Sequence, residues 1–173
     1  MAISRTQALD PGRTDPEATM QPGVRAGAWG RACLVLVLVL IADQVTKHTI
    51  GSGIREGEVR SLVPGVHLVH VRNTGVAFGV FSGGGALVLL FTLAALSVLV
   101  IYFTRHPERP WLWLPTGLLI GGALGNLIDR VHQGSVTDFI KLPLWPAFNV
   151  ADMAITFGVV ALLFVLEVSG RGR

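Results

Sequence analysis

The sequence predicts a mainly α-helical membrane protein with four transmembrane helices and a small extracytoplasmic β-containing segment between the first and second helices. Two observations support this fold class. Of the 173 residues, 51% are hydrophobic and only 14% are charged, whereas soluble proteins carry about 25% charged residues. The few charges also lie between long apolar stretches. A helix rises 1.5 Å per residue, so roughly 20 apolar residues cross the hydrocarbon core of a bilayer.

Four apolar stretches are long enough to be spans. The clearest runs from Gly83 to Phe103 and contains no charged residue. A second uncharged stretch, Trp111 to Ile128, has its proline near the start, where a missing backbone N–H costs little. The other two stretches, Ala26 to about Ile50 and Ala151 to Leu166, each include an aspartate near one end.

The segment between the first two spans has a different pattern. Residues Val59 to Arg72 mix Val and Leu with polar residues around a Pro64–Gly65 turn. This imperfect alternation predicts one or two short strands. Strand edges leave backbone groups unpaired, so we expect the segment at or above the membrane surface and not in lipid.

Loop charges favour one orientation of the chain. Eight Lys and Arg residues lie on the side of both termini and six lie on the other side. Basic residues favour the cytoplasmic side, which predicts cytoplasmic termini and outward connections at roughly residues 51–82 and 129–150. Residues 1–30 are rich in Pro, Gly, Thr and charge and predict a disordered tail. A membrane domain is expected over 31–168, followed by a short cytoplasmic tail over 169–173.

Glycines and tryptophans in the spans indicate packing and membrane position. Glycines recur at every fourth residue of the third span, a spacing that lets a neighbouring helix approach closely. They are Gly117, Gly121 and Gly125. Tryptophans at span ends predict anchors at the membrane surface. They are Trp111, Trp113 and Trp145.

Several function classes are excluded by composition and motifs. The net charge is only +3 and the basic residues are dispersed, so no nucleic-acid-binding patch is expected. A single cysteine, Cys33, cannot form an intramolecular disulfide or a multi-thiolate metal site. The histidines include no HExxH pair, and no serine lies in a G-x-S-x-G motif.

With these classes excluded, the remaining candidate is a site that uses carboxyl groups. Four aspartates fall near one end of the expected bundle, and ionisable groups at membrane depth are costly enough to be functional candidates. They are Asp43, Asp129, Asp138 and Asp152. Two aspartates that share one proton can activate a water molecule and hydrogen-bond a scissile carbonyl.

The choice of the two aspartates rests on spacing. A loop of 13 residues separates Asp138 from Asp152, which is long enough for the two side chains to meet. Asp129 is followed at once by Arg130 and preceded by Asn126, and it is better placed as a paired structural charge. Arg130 could bind a substrate carbonyl or pair with Asp129. Alternatively, all four acids are solvated caps, with Asp152 at the start of the fourth helix.

Two other function classes remain open on the residues alone. Buried acids also mark ion paths, so a small transporter or proton-relay protein is one alternative. That class predicts acids near the middle of spans, whereas here they lie near one end. A purely structural membrane subunit is the other alternative, and it leaves the clustered Asp, Asn and Arg residues unexplained.

Five segments resemble, in order, the signature blocks of the bacterial lipoprotein signal peptidase, or signal peptidase II, family. They are Asp43–Lys47, Asn73–Gly79, Gly121–Arg130, Gly134–Phe139 and Phe148–Asp152. The blocks cover residues 43–152, and none departs from the family pattern at a motif position.

The resemblance implies an aspartic intramembrane peptidase that uses neither a metal nor a cofactor. Such an enzyme removes the signal peptide from diacylglyceryl-modified prolipoproteins by cutting just before the lipidated cysteine. The expected partners are these substrates and membrane lipid, with no nucleic acid and no obligate protein partner. The expected location is the bacterial cytoplasmic membrane, with the active site near its outer face.

The resemblance also implies roles for individual residues. By motif, Asp138 and Asp152 are the expected catalytic pair. The residues that resemble substrate-contacting or site-ordering positions are Asn73, Gly75, Asn126, Arg130 and Asn149. The residues that resemble supporting positions are Asp43, Lys47, Gly122 and Asp129. On the residues alone, each asparagine could instead be an ordinary helix-end or turn residue.

Overall fold

The computed structural model describes residues 22–74 and 85–171. In these residues the chain forms α-helices and one three-stranded sheet. The helices are α1 (Pro22–Gly53), α2 (Gly85–Arg105), α3 (Trp113–Gln133) and α4 (Val150–Arg171). The strands are β1 (Val59–Val63), β2 (Val66–Asn73) and β3 (Val136–Lys141). The predicted mainly helical fold with a small β segment is confirmed.

The helices carry apolar surfaces that water would not solvate well. Helices α1 and α4 are both long and apolar enough to cross a membrane, and the described side chains of α2 form a shorter apolar helix. Leu38 of α1, Phe91 of α2 and Phe164 of α4 are 57%, 71% and 69% exposed. Large contiguous apolar surfaces of this kind are rare on soluble monomers. Lipid is the more favourable environment for these apolar surfaces.

The predicted tail boundary at residue 30 is wrong, because α1 begins at Pro22. Tertiary contacts hold residues 22–30 in the helix. The Trp29 ring lies 4.7 Å from that of Phe103 in α2, and an Arg25 side-chain N–H donates to a carbonyl of α2. Residues 1–21 of the predicted tail lie outside the described residues. At the other end, α4 continues to Arg171, into the segment predicted as a C-terminal tail.

Close contacts of α3 with α1 and α4 depend on glycine. A Cβ atom at Gly117 would lie 2.6 Å from the carbonyl oxygen of Ala32 in α1. A Cβ at Gly121 would lie 2.9 Å from the same helix. On the other face of α3, a Cβ at Gly122 would lie 2.5 Å from the carbonyl oxygen of Ala151 in α4. The predicted close approach at the glycine stripe is therefore confirmed, and Gly122 extends it to α4.

Gly117→Ala is expected to destabilise the protein, because the added methyl group would force α1 and α3 apart. Overpacking of this kind typically costs about 1–3 kcal/mol. Gly30→Ala is the matched control, since Gly30 is also helical but its Cβ would meet no atom within 4 Å. Thermal unfolding in detergent measures both variants. Equal midpoints for the two would contradict the close packing of α1 and α3.

The sheet has the order β1-β2-β3 with antiparallel pairing throughout. Strands β1 and β2 and their turn confirm the sequence prediction for residues 59–72. Strand β3 was not predicted, because it comes from the connection after α3 and its partner is distant in the sequence. In the register of β2 with β3, Val71 lies opposite Asp138 and Asn73 lies opposite Val136. The pairing brings Asp138 beside the end of β2.

The two ends of the bundle differ in chemistry. The C-terminal ends of α1 and α3, the start of α4 and the sheet meet at one end. The opposite end holds an apolar cluster formed by Ala28, Ala32, Phe103, Leu112 and Val165. The apolar cluster fixes the helices, and the sheet end carries the buried polar groups.

Candidate active site

Buried and partly buried polar residues from the helices and the sheet converge at the sheet end of the bundle. They are Asp43, Gln44 and Lys47 of α1, Asn73 of β2, Asn126 and Asp129 of α3, Thr137 and Asp138 of β3, and Asn149 and Asp152 at the start of α4. Among the side chains that the structure describes, no buried nitrogen or oxygen atom lacks a hydrogen-bond partner. Hydrogen bonds between these polar groups hold each of them in a defined orientation.

The start of α4 is a reciprocal cap. The Asn149 Oδ1 atom accepts the backbone N–H of Asp152 at 2.9 Å, and Asp152 Oδ2 accepts the backbone N–H of Asn149 at 3.2 Å. This is the capping-box arrangement. Asp43 Oδ1 of α1 accepts a further N–H, that of Ala151, at 2.9 Å. Asp152 therefore does cap α4, as the alternative interpretation held, and the cap also fixes its carboxyl group.

Asn149 connects the carboxyl groups of Asp138 and Asp152. Its side-chain Nδ2 donates to Asp138 Oδ1 at 2.7 Å, while its backbone N–H donates to Asp152. Two further amides hold the remaining oxygens. Asn73 Nδ2 donates to Asp138 Oδ2 at 3.0 Å, and Asn126 Nδ2 donates to Asp152 Oδ1 at 2.8 Å. The structure thus brings the two carboxyl groups together around one asparagine.

The pKa of Asp138 is raised from the ordinary 3.8 to about 6. Burial is the largest cause and the negative charge of Asp152 adds to it, while hydrogen bonds from Asn73 and Asn149 and the charge of Lys47 act in the opposite direction. The side chain is only 3% exposed, which is why desolvation dominates. A carboxyl group with this pKa can hold a proton or release one under physiological conditions.

Stability is expected to fall as the pH rises from about 4 to about 6, and Asp138 to account for part of the fall. In the unfolded chain this carboxyl ionises near its ordinary pKa of 3.8, whereas in the folded protein it stays protonated up to about 6. The folded state then binds more protons than the unfolded state, so raising the pH favours unfolding. Asp138→Asn should flatten this part of the profile of melting temperature against pH. Identical slopes for variant and wild type would contradict the raised pKa.

Lys47 is buried at the centre of the network. Its Nζ atom lies 2.8 Å from Asp43 Oδ2, 3.0 Å from Asp129 Oδ2 and 3.0 Å from Asn126 Oδ1. An ammonium group has three donors and no acceptor, so these contacts use all of them. Because Lys47 can only donate, Asn126 must turn its oxygen toward Lys47 and its Nδ2 toward Asp152.

Asp129 joins α3 to β3. Its Oδ2 accepts the backbone N–H of Thr137 at 3.1 Å, in addition to the Lys47 ion pair. The partner is therefore Lys47 and not Arg130, because adjacent residues on a helix point in different directions. Arg130 instead donates an N–H to the carbonyl oxygen of Asn126 at 3.2 Å. Gly75 lies outside the described residues.

Sequence reasoning missed two members of the network. Gln44 Nε2 lies 3.2 Å from Asp43 Oδ2 and 3.2 Å from Asp129 Oδ1, so it bridges two carboxylates that also share Lys47. Its position inside the Asp43–Lys47 block was the only signal for it. Thr137 contributes through its backbone N–H and carbonyl, and no side-chain pattern reveals such a role.

Comparison with known proteins identifies related chains. The family model described as "Signal peptidase (SPase) II" matches residues 35–168. The lipoprotein signal peptidase of Syntrophomonas wolfei is 42% identical over 83% of this chain and 94% of its own length. That of Moorella thermoacetica is 42% identical over 81% of this chain and 96% of its own length.

A solved structure shares the fold. A bacterial membrane enzyme, determined by the in meso method at 2.3 Å resolution, superposes with a TM-score of 0.77 at 33% sequence identity. The match covers 83% of this chain and 92% of the other. The similarity therefore extends over most of both chains.

Proposed function

This chain belongs to the signal peptidase II family, and from this premise we propose that it is an aspartic endopeptidase with Asp138 and Asp152 as its catalytic pair. Its substrates are diacylglyceryl-modified prolipoproteins, which it cuts just before the lipidated cysteine. The observation that carries the proposal is the convergence of two carboxyl groups on Asn149, one from β3 and one from α4.

The pair can carry out hydrolysis by sharing one proton. The ionised carboxyl takes a proton from a water molecule, whose oxygen attacks the scissile carbonyl carbon. The protonated carboxyl donates its hydrogen to the carbonyl oxygen, and a proton then passes to the leaving amine as the peptide bond breaks. Like charges held close separate the two ionisation steps of the pair. The raised pKa of Asp138 is consistent with this sharing.

The asparagines orient the carboxyl groups for this reaction. Asn73, Asn126 and Asn149 each donate to an oxygen of the pair, so rotation of either carboxyl would break a hydrogen bond. Arg130 is partly buried beside Asn126 and is a candidate for contact with the substrate backbone. Gly75 has the same proposed role by its position in the Asn73–Gly79 block.

The residues at the other family motif positions hold the elements that carry the two carboxyl groups. Asp43 and Lys47 connect α1 to the start of α4 and to Asn126. Asp129 ties β3 to α3. Gly122 lets α4 approach α3 closely at Ala151, next to Asp152. Each of these contacts fixes the position of an element that carries a carboxyl of the pair.

The proposed setting is the cytoplasmic membrane of a bacterium. All four helices cross it, both termini are cytoplasmic and the sheet end lies at the outer face, and the four helices and the sheet together form the peptidase domain. A lipidated substrate reaches such a site laterally through the bilayer, while water reaches it from outside. The position of the acids at one end of the bundle also disfavours the transporter alternative.

Hydrolysis by the purified protein tests the proposal. Incubation with a diacylglyceryl-modified prolipoprotein should release the signal peptide, and a metal chelator should not slow the reaction. The same prolipoprotein without the diacylglyceryl group is the matched control and should stay uncut. A folded protein that leaves the modified substrate intact, or whose cleavage stops with the chelator, would contradict the assignment.

A further inference from the structure

Two exposed apolar residues adopt a backbone conformation that costs strain. In the described part of the chain, the non-glycine residues with positive φ are Trp111 at 66° and Leu144 at 62°. L-residues are disfavoured in this left-handed region. Trp111 is 64% exposed and Leu144 is fully exposed, at 104%. The Trp111 ring lies 5.9 Å from that of Trp113, whereas the fully exposed Leu144 side chain has no packing that would offset its strain. This exposure points to a contact outside the protein.

Leu144 belongs to a turn that holds its apolar side chains outward. The backbone N–H of Trp145 donates to the carbonyl of Leu142 at 3.3 Å, which closes the turn. Lys141 Nζ donates to the carbonyl oxygen of Trp145 at 2.7 Å. Trp145 is itself 62% exposed. The Leu144–Trp145 turn, residues 142–145, thus displays a leucine and a tryptophan beside a lysine.

The turn continues the lipid-facing surface of the protein. It lies between β3, which carries Asp138, and the start of α4 at Val150. The exposed apolar side chains of α4 include Phe157 at 60% and Val160 at 61%. The turn therefore stands where the apolar belt of α4 ends at the sheet end of the bundle.

Trp111 marks the opposite boundary of the same belt. It precedes α3 and lines an apolar cavity of about 280 Å³ with Phe164 and Val168 near the end of α4. Helix α4 has 22 residues, a length of about 33 Å at 1.5 Å per residue. The hydrocarbon core of a bilayer is about 30 Å thick. Trp111 and the Leu144–Trp145 turn thus lie toward opposite ends of a helix that is long enough to cross the bilayer.

We propose that the Leu144–Trp145 turn is a lipid anchor, inserted at the boundary between headgroups and acyl chains in the leaflet at the carboxylate end. Trp111 occupies the same boundary in the other leaflet. Tryptophan favours this boundary because its ring is apolar and its N–H is polar. The Lys141 ammonium beside Trp145 complements the lipid phosphates. Together the two anchors fix the depth of Asp138 and Asp152 relative to the bilayer surface.

Fluorescence of Trp145 in bilayers tests the insertion. In a variant carrying Trp29→Phe, Trp111→Phe and Trp113→Phe, Trp145 is the only tryptophan. Phosphatidylcholine brominated near the headgroup should quench it more strongly than lipid brominated deep in the chains, and aqueous iodide should quench it weakly. In the control variant all native tryptophans are replaced by phenylalanine, and Arg55→Trp supplies the single tryptophan. Residue 55 lies on the exposed turn between Ile54 and Glu58. There iodide should quench and brominated lipid should not.

Two results would overturn the anchor. One is quenching of Trp145 by iodide to the same extent as the control, without an effect of brominated lipid. The other comes from a nitroxide on Leu144→Cys with Cys33→Ser, which keeps every native tryptophan and so does not depend on the triple variant folding. Its collisions with oxygen, which concentrates in lipid, should exceed those with a water-soluble nickel chelate. The reverse order would show that the turn lies in water or against a protein partner.

The effect on depth rests on the proposed function and has a separate readout. Leu144→Asn with Trp145→Ser removes the apolar groups, and asparagine tolerates the left-handed conformation. Cleavage should slow several-fold in bilayers and stay unchanged in detergent micelles, where depth is not defined. An equal rate in bilayers would contradict the role in depth. If the quenching data show insertion but the wild type cleaves no prolipoprotein, the anchor stands and the proposed function fails.

Discussion

Asp138→Asn and Asp152→Asn are each expected to abolish signal-peptide cleavage while the protein still folds. An amide cannot take a proton from water or share one with its partner, so either substitution leaves no acid–base pair. Proton transfer of this kind contributes about 10²–10⁴-fold to the rate, and we expect a loss of at least about 10³-fold. Single-turnover cleavage of a lipidated prolipoprotein is the measurement. Because the two residues act as a unit, the double variant should be no worse than either single variant.

Folding of these variants must be measured alongside activity. Each carboxyl accepts an N–H at both oxygens, so an asparagine in its place turns an NH₂ group toward one donor. We expect a loss of about 1–3 kcal/mol in stability for that mismatch. Glu58→Gln makes the same chemical change at the surface, outside the network, and should keep full activity. Substantial cleavage by both aspartate variants would reject the catalytic pair.

Lys47→Met is expected to cause the largest loss of stability. The substitution leaves Asp43 and Asp129 buried without their cation, and breaking a buried ion pair in this way costs about 3–5 kcal/mol. It also frees the Asn126 amide that Lys47 orients. Thermal unfolding and the yield of folded protein in detergent should both fall. Lys141→Met is the matched control, because Lys141 is half-exposed and makes one hydrogen bond to a backbone carbonyl; its cost should stay below about 1.5 kcal/mol.

Neutralising the two carboxylates that Lys47→Met leaves without a cation should restore part of the lost stability. Asp129→Asn alone is expected to lower the amount of folded protein, since it breaks the Lys47 pair. Lys47→Met combined with Asp43→Asn and Asp129→Asn removes all three charges of the Lys47 ion pairs and should be more stable than Lys47→Met alone. A triple variant no more stable than the single variant would show that charge burial is not the cause. A well-folded but inactive Asp129→Asn enzyme would move Asp129 from a supporting to a catalytic role.

The sequence by itself determined the helices, the β1–β2 hairpin and the acids of the candidate site. Helices in lipid follow from the length of apolar stretches, and a hairpin around Pro64–Gly65 follows from a local turn. Both features depend only on residues close together in the sequence, so they can be predicted without knowledge of the fold. The motif order likewise fixed the family, because residue identities and their spacing are read directly from the chain.

Only the tertiary structure decided how these parts meet. Strand β3 forms because β2 lies beside it, and residues 22–30 are helical because Trp29 packs on Phe103. The partner of Asp129 is Lys47, from another helix, and not its neighbour Arg130. Asn149 joins the two carboxyl groups only once β3 and the start of α4 are side by side. The physical reason is that buried polar groups take whichever partner the fold brings within 3 Å or so, and that choice depends on residues far apart in the sequence.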